Sequence, residues 1–203
     1  MNRKNLDGQY IKIIRNEWFK WHKTNINKVN EDITIIEFDN GTSYYYVKII
    51  MDNNLVIITG DIGEAIYKLT EKSSIESIAK YDIAYFSSKL TTMSRGKDDW
   101  CDRIAYSDLK YWAIQKYRDC DCDEQKENIN KAYKVLKNIL PNVASLKEWQ
   151  FKLNEDKVYE VIDKIESYYD SEIWEFGEIS SIESYAYYEM FKIMNEQLGG
   201  VKE

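Results

Sequence analysis

The sequence contains little proline, glycine, histidine and cysteine. Its 203 residues include one Pro, eight Gly, one His and three Cys. So few Pro and Gly residues exclude a collagen-like or Pro-rich chain and a flexible Gly-rich linker. The single His, His22, excludes chemistry that needs two histidines on one chain. We expect His22 to lie at the surface or at the end of a helix.

Long hydrophobic runs are absent as well. No run approaches the roughly 20 apolar residues that span a bilayer, and the basic N-terminus lacks the apolar stretch of a secretory signal. The cysteines, Cys101, Cys120 and Cys122, are too few for a disulfide framework. Asp residues flank Cys120 and Cys122 and would hinder thiolate formation, so we expect no zinc. We therefore expect a cytoplasmic protein without membrane attachment, metal or cofactor.

The sequence is rich in residues that form a core. Hydrophobic residues make up 44% of the chain and aromatic residues 14%, with 17 Tyr and 6 Trp. This composition is typical of a globular domain and argues against disorder. Periodicity then predicts an α+β fold.

The first part of the chain predicts a helix followed by a small sheet. Apolar residues recur at helical spacing over 9–22, with Asp7 as a cap. Four strands follow, separated by turn signals such as Asp39-Asn40-Gly41; their ranges are 32–38, 43–51, 55–59 and 64–70. We expect a four-stranded antiparallel meander with the first helix packed on one face.

From residue 73 the pattern becomes helical. The pentapeptide SSIES occurs at Ser73–Ser77 and Ser180–Ser184, and each copy has the spacing of a capping box with Glu three residues after the first Ser. Further helices are expected over about 73–81, 83–93, 100–117, 124–140, 145–153, 156–168 and 180–198. We expect a sheet region over 1–95 and a helical region over 96–203, together in one compact unit.

Charge is concentrated in the last quarter of the chain. Residues 1–100 carry a net charge of 0, residues 101–150 carry +1 and residues 151–203 carry -8. Within 155–178 nine carboxylates are opposed by two Lys residues only. An acidic surface disfavours direct nucleic-acid binding and favours a basic partner. A solvated face that keeps the protein soluble is the alternative interpretation.

The candidate partner-binding residues lie in this acidic stretch. The helical spacing puts several carboxylates on one face, away from the apolar stripe, and aromatic residues beside them would suit an interface or a core. The candidate residues are Asp156, Glu160, Asp163, Glu166, Asp170, Glu172, Trp174, Glu175 and Glu178. No catalytic residues are predicted.

Two segments carry a resemblance to known proteins. GDIGEAIYKLT followed by SIESIAKYDIAYFSSKL, residues 60–90, resembles a segment of uncharacterised phage and prophage proteins of Gram-positive hosts. GEISSIESYAYYEMFKI, residues 177–193, is similar to the C-terminal helix of the same proteins. The resemblance carries no known catalytic residue.

The resemblance implies, by type, an inhibitor of host defence nucleases, of which anti-CRISPR proteins are the best-known class. Such a protein would bind a host nucleic-acid-processing protein, for instance an RNA-guided nuclease complex, and its acidic face would imitate nucleic-acid phosphates. One alternative is a metal-dependent enzyme that acts on a nucleotide or modifies a defence component. Another is a structural module that forms homo-oligomers through its Tyr-rich C-terminal helix.

Overall fold

The computed structural model of the protein describes residues 3–96, 98–167 and 171–199. The chain divides into two compact units. Met1–Leu6 and Asp98–Ile179 form one, the helical unit, and Asp7–Lys97 and Ser180–Glu203 form the other, the sheet unit. The last helix therefore belongs with the sheet and not with the helices that precede it in the sequence.

The sheet unit contains six antiparallel strands, each paired with its neighbours in chain order. The strands are β1 Lys23–Lys28, β2 Ile33–Asp39, β3 Val47–Asp52, β4 Leu55–Gly60, β5 Ala65–Lys68 and β6 Leu90–Met93. The α+β class is confirmed, but the expected number of four strands is wrong. β1 has a single large apolar residue, Ile26, and β6 follows directly on a helix, so neither edge strand has a clear sequence signal.

The sheet buries one face under the helices of the same unit. Strand side chains such as Phe38, Ile49 and Ile58 have no solvent exposure. The covering elements are the π-helical turn Ile14–Trp18 that continues α1 (Arg3–Ile13), α2 Ile75–Ala79, α3 Ile83–Ser88 and α8 Ile182–Gln197. The expectation that the first helix covers the sheet is therefore incomplete, because α8 supplies most of the buried helical residues.

The first helix starts earlier than its pattern indicates. Asp7 lies inside α1 and not at its end, and its carboxylate accepts a hydrogen bond of 2.6 Å from the Tyr185 hydroxyl. The helix finishes as the π-helical turn at Trp18 rather than at residue 22. Asp7 thus joins the first helix to α8 instead of capping it.

Both SSIES copies cap helices, although through different residues than expected. The second Ser of each copy is the N-cap: Ser74 accepts a hydrogen bond from the backbone N–H of Ser77, and Ser181 from that of Ser184. Ser77 closes the box at α2 by bonding back to the Ser74 backbone. The cap therefore uses a hydroxyl where the sequence pattern indicated a glutamate.

The helical unit is built around two long helices. Its elements are β7 Asp98–Trp100, α4 Asp102–Arg118, α5 Asp123–Ile139, a 3-10 turn Leu140–Asn142, α6 Leu146–Leu153, α7 Asp156–Ile162, a 3-10 turn Glu172–Glu175 and β8 Glu178–Ser180. Trp112 and Trp149 are fully buried in its core. None of the helices in the described part of the chain has both the length and the apolar character that a bilayer crossing requires.

α7 is shorter than the helix expected over 156–168. It ends at Ile162, whose carbonyl accepts hydrogen bonds from the backbone N–H groups of Ile165 and Glu166. Beyond this turn the Glu166 carboxylate accepts hydrogen bonds from the Trp112 indole and the Ser171 hydroxyl. Tyr168, the expected end of the helix, lies outside the described residues.

His22 is buried and not at the surface, so the expectation for this residue is wrong. Its side chain lies against Phe19 and Phe38 and is 3% exposed. Nε2 lies 3.0 Å from the Tyr45 carbonyl oxygen, which makes it the protonated nitrogen of the neutral ring. Nδ1 is buried without a hydrogen-bond partner. Burial therefore lowers the pKa of His22, against smaller opposing effects of the Tyr45 carbonyl and Asp39.

The stability of the sheet unit should fall in mildly acidic solution. Because the folded-state pKa of His22 is lowered, the unfolded chain binds the proton first, once the pH falls below about 6.5. We expect the free energy of unfolding to decrease by at most about 1.4 kcal/mol per pH unit between that value and the folded-state pKa. Urea titrations at pH 7.5 and 5.5 measure this decrease. His22→Phe should remove it, and an equal decrease in that variant would contradict the assignment.

Candidate protein-binding surface

Residues 155–178, here called the acidic segment, are held to the helical unit by their apolar side chains. Val158, Ile162, Ile173 and Phe176 are buried in its core. The indole of Trp149 donates a hydrogen bond of 2.7 Å to the Ile173 carbonyl. These contacts fix both described parts of the segment on the core of the helical unit.

The end of the segment is attached just as closely. Trp100 donates its indole N–H to the Phe176 carbonyl at 3.1 Å, and Gly177 donates its backbone N–H to Asp108 at 3.0 Å. Gly177 has a φ of 77°, and a Cβ there would lie 2.6 Å from the Trp100 indole nitrogen. Only glycine suits this close approach, which brings the segment against α4.

Four of the candidate acids are exposed. Glu160 lies on α7, Asp163 directly after it, and Glu172 and Glu175 lie on the 3-10 turn. Glu178 is half-buried in β8. The side chain of Asp156 and the whole of Asp170 lie outside the described residues. We define the acidic surface as Glu160, Asp163, Glu172 and Glu175.

Glu166 is held by the unit's own side chains. Its carboxylate accepts hydrogen bonds from the Trp112 indole, at 2.9 Å, and from the Ser171 hydroxyl, and it forms an ion pair with Lys116. Burial alone would raise the pKa of Glu166, but these bonds from Lys116, Ser171 and Trp112 lower it below its usual value. Glu166 therefore joins α4 to the acidic segment, and we leave it out of the acidic surface.

The aromatic candidate Trp174 and the neighbouring Phe176 face the core. Trp174 is half-buried and packs against the core cluster of the helical unit. Phe176 is buried with its ring near those of Trp112 and Trp149, at centroid distances of 6.4 Å. These two rings therefore hold the segment in place and contribute little exposed surface.

A shallow cavity of about 130 Å³ adjoins the acidic surface. It is lined by Asp108 and Tyr111 of α4 together with Glu172, Glu175 and Phe176. Tyr111 is 63% exposed. Sequence reasoning missed Asp108 and Tyr111, although the α4 pattern holds a signal: Tyr111 lies outside the apolar stripe that Leu109 and Trp112 share.

The cavity suits a cationic side chain. The face of an exposed Tyr ring attracts a cation, and neighbouring carboxylates accept its N–H groups in charge-assisted hydrogen bonds. Arginine matches both features because its planar guanidinium stacks on rings and binds carboxylates through two nitrogens. In the described residues, no group of three or more His, Cys, Asp and Glu side chains is arranged to hold a metal ion.

Comparison of the chain with known protein families, curated proteins and solved structures finds no match.

Removing the Glu166 carboxylate should destabilise the helical unit. Glu166→Ala leaves the Trp112 indole and Lys116 without their acceptor, which should cost about 2 kcal/mol. Glu160→Ala is the matched control, since an exposed carboxylate of the same segment should change stability by less than about 0.5 kcal/mol. Chemical denaturation followed by tryptophan fluorescence measures both. Equal losses in the two variants would contradict the structural role of Glu166.

Proposed function

We propose that the protein is a phage-derived inhibitor of a host defence nuclease, of the anti-CRISPR type, which binds a basic surface of its target through the acidic surface. In this proposal the protein acts in the cytoplasm of the bacterial host. It carries out no reaction of its own. The basic surface would be a nucleic-acid channel or a protein-interaction face of an RNA-guided nuclease complex.

The observation that carries the proposal is the separation of side chains along the acidic segment. Val158, Ile162, Ile173 and Phe176 are buried in the core. The carboxylates are exposed at Glu160, Asp163, Glu172 and Glu175. The carboxylates are thus fixed on a folded scaffold and need no ordering when a partner binds, which favours affinity. Fixed negative charge repels nucleic acid and attracts the Lys and Arg residues that line nucleic-acid channels.

The cavity beside Tyr111 supports the same kind of partner. A surface of carboxylates alone would attract any basic protein with little selectivity. A ring flanked by Glu172 and Glu175 also offers an arginine a defined position, and arginine is common at the centre of protein interfaces. The charge of the acidic surface would govern the rate of association with the partner. The cavity would determine which partner is selected.

The phage origin is supported by the resemblance of residues 60–90 and 177–193 to phage and prophage proteins of Gram-positive hosts. In the folded chain these segments include β5, α2, α3 and most of α8. They therefore belong mainly to the sheet unit, while the acidic surface belongs to the helical unit.

Charge reversal of the acidic surface tests the proposal. We expect the triple variant Glu160→Lys, Glu172→Lys and Glu175→Lys to lose binding to the target nuclease by at least about 100-fold, because attraction is replaced by repulsion at several sites. The experiment captures partners from lysates of a Gram-positive host that carries defence nucleases. It then measures nucleic-acid cleavage by the captured nuclease with and without the protein.

The control variant carries the same change of charge on another surface of the helical unit. This control is the triple variant Asp121→Lys, Glu124→Lys and Glu127→Lys, which alters exposed residues in and just before α5. It should leave inhibition unchanged.

A further variant, Tyr111→Ala, tests the cavity. It should weaken binding by about tenfold if a cation stacks on the ring. The proposal is wrong if the wild-type protein captures no nuclease, or if both triple variants inhibit equally.

A further inference from the structure

The second face of the sheet carries a row of four isoleucines. Ile35, Ile50, Ile57 and Ile66 lie directly opposite one another on the consecutive strands β2, β3, β4 and β5. All four are half-buried. Asn27 of β1 and Thr92 of β6 continue the row at its two ends. We call these four residues the isoleucine row.

This face departs from the pattern of a sheet with one solvated side. Such sheets alternate apolar residues inside with polar residues outside. Here the central residue of this face is an isoleucine on each of the four strands, and on β4 Leu55 lies on the same face as Ile57. Among the described residues, the core cluster of the sheet unit and the side chains packed on it do not include the isoleucine row.

On β3 and β5 the row is flanked by side chains of opposite charge, whereas β2 carries Ile33 and Glu37 in the corresponding positions. On β3, Lys48 lies two residues before Ile50 and Asp52 two residues after it. On β5, Glu64 lies just before the strand, two residues before Ile66, and Lys68 lies two residues after it. Two residues along a strand return to the same face, so each charged pair frames the row with one acidic and one basic side chain.

We propose that the isoleucine rows of two copies of this chain pack face to face about a two-fold axis that runs along the row. Such an axis exchanges the residues before and after each isoleucine. Lys48 of one copy then faces Asp52 of the other, and Glu64 faces Lys68, so every charge of these pairs meets its opposite. The two sheets form a β-sandwich with strands nearly aligned, a common packing for sheets.

The geometry fits the anatomy of a small interface. The row crosses four strands, a width of about 15 Å, with apolar side chains at the centre and charged pairs at the rim. An interface of this size gives a weak dimer whose population depends on concentration. The pairing surface lies in the sheet unit and does not involve the acidic surface, so this proposal is independent of the proposed function.

Sedimentation velocity over a range of protein concentrations tests the dimer. We expect the sedimenting mass to rise from one chain to two as the concentration increases. Ile57→Lys should keep the protein monomeric, because it would place two like charges in the apolar centre. Its folding is verified by the unfolding transition, since Ile57 lies outside the buried core.

A charge exchange on β5 tests how the two sheets are aligned in the proposed dimer. It is independent of the result with Ile57→Lys. Glu64→Lys should weaken the dimer by at least about tenfold, because each dimer gains two pairs of like charges. Adding Lys68→Glu should restore the wild-type affinity. Residues four apart along a strand are about 13 Å apart, so contact within one chain cannot explain the rescue.

Glu17→Lys is the matched control, since it makes the same change of charge at an exposed position of the π-helical turn. It should leave dimerisation unchanged or strengthen it slightly by reducing the net negative charge. A wild-type protein that remains monomeric at about 1 mM, far above the dissociation constants of specific dimers, would overturn the proposal. A dimer that tolerates Ile57→Lys, or that the Lys68→Glu addition does not restore, would overturn it as well.

Discussion

The burial of α8 against the sheet is the contact on which the rest of the chain depends. Tyr187, Met190 and Phe191 have no solvent exposure, and the nearly buried Glu189 accepts a hydrogen bond of 2.6 Å from Arg15 of the π-helical turn. A buried charge needs a partner. Removing one member of a buried ion pair is strongly destabilising, because the other charge is then left buried without compensation. The two residues are 174 positions apart, so the core closes only when the end of the chain returns to its beginning. Most of the helical unit, Asp98–Ile179, is inserted between these two parts of the chain.

Identical side chains have different roles in the acidic segment because their surroundings differ. Glu160 and Glu175 face solvent and carry charge that a partner can use. Glu166 accepts hydrogen bonds from an indole and a hydroxyl and pairs with Lys116, so its charge is already balanced. The net charge of the segment is therefore more negative than the charge that its exposed side chains present to a partner. The four exposed carboxylates of the acidic surface are the basis of the proposed function.

The two faces of the sheet differ in character. α8 and the helices around it bury the first face, which includes Ile36 and Ile58. The second face carries the isoleucine row. The tyrosines of α8, considered from the sequence as a surface for self-association, are buried in the core of the sheet unit. Any association of folded chains must use another surface, and the isoleucine row offers one with self-complementary charges.

The sequence by itself determined the features that depend on neighbours along the chain. Asp82 caps α3, α5 ends two residues before Pro141, and the central strands β2 to β5 follow their apolar runs and turns. Only the tertiary structure decided that His22 is buried, that β1 and β6 extend the sheet, and that Glu166 and Trp174 face inward while Tyr111 faces out. Caps and turns arise from hydrogen bonds within a few residues, whereas these outcomes depend on packing between residues far apart in the chain.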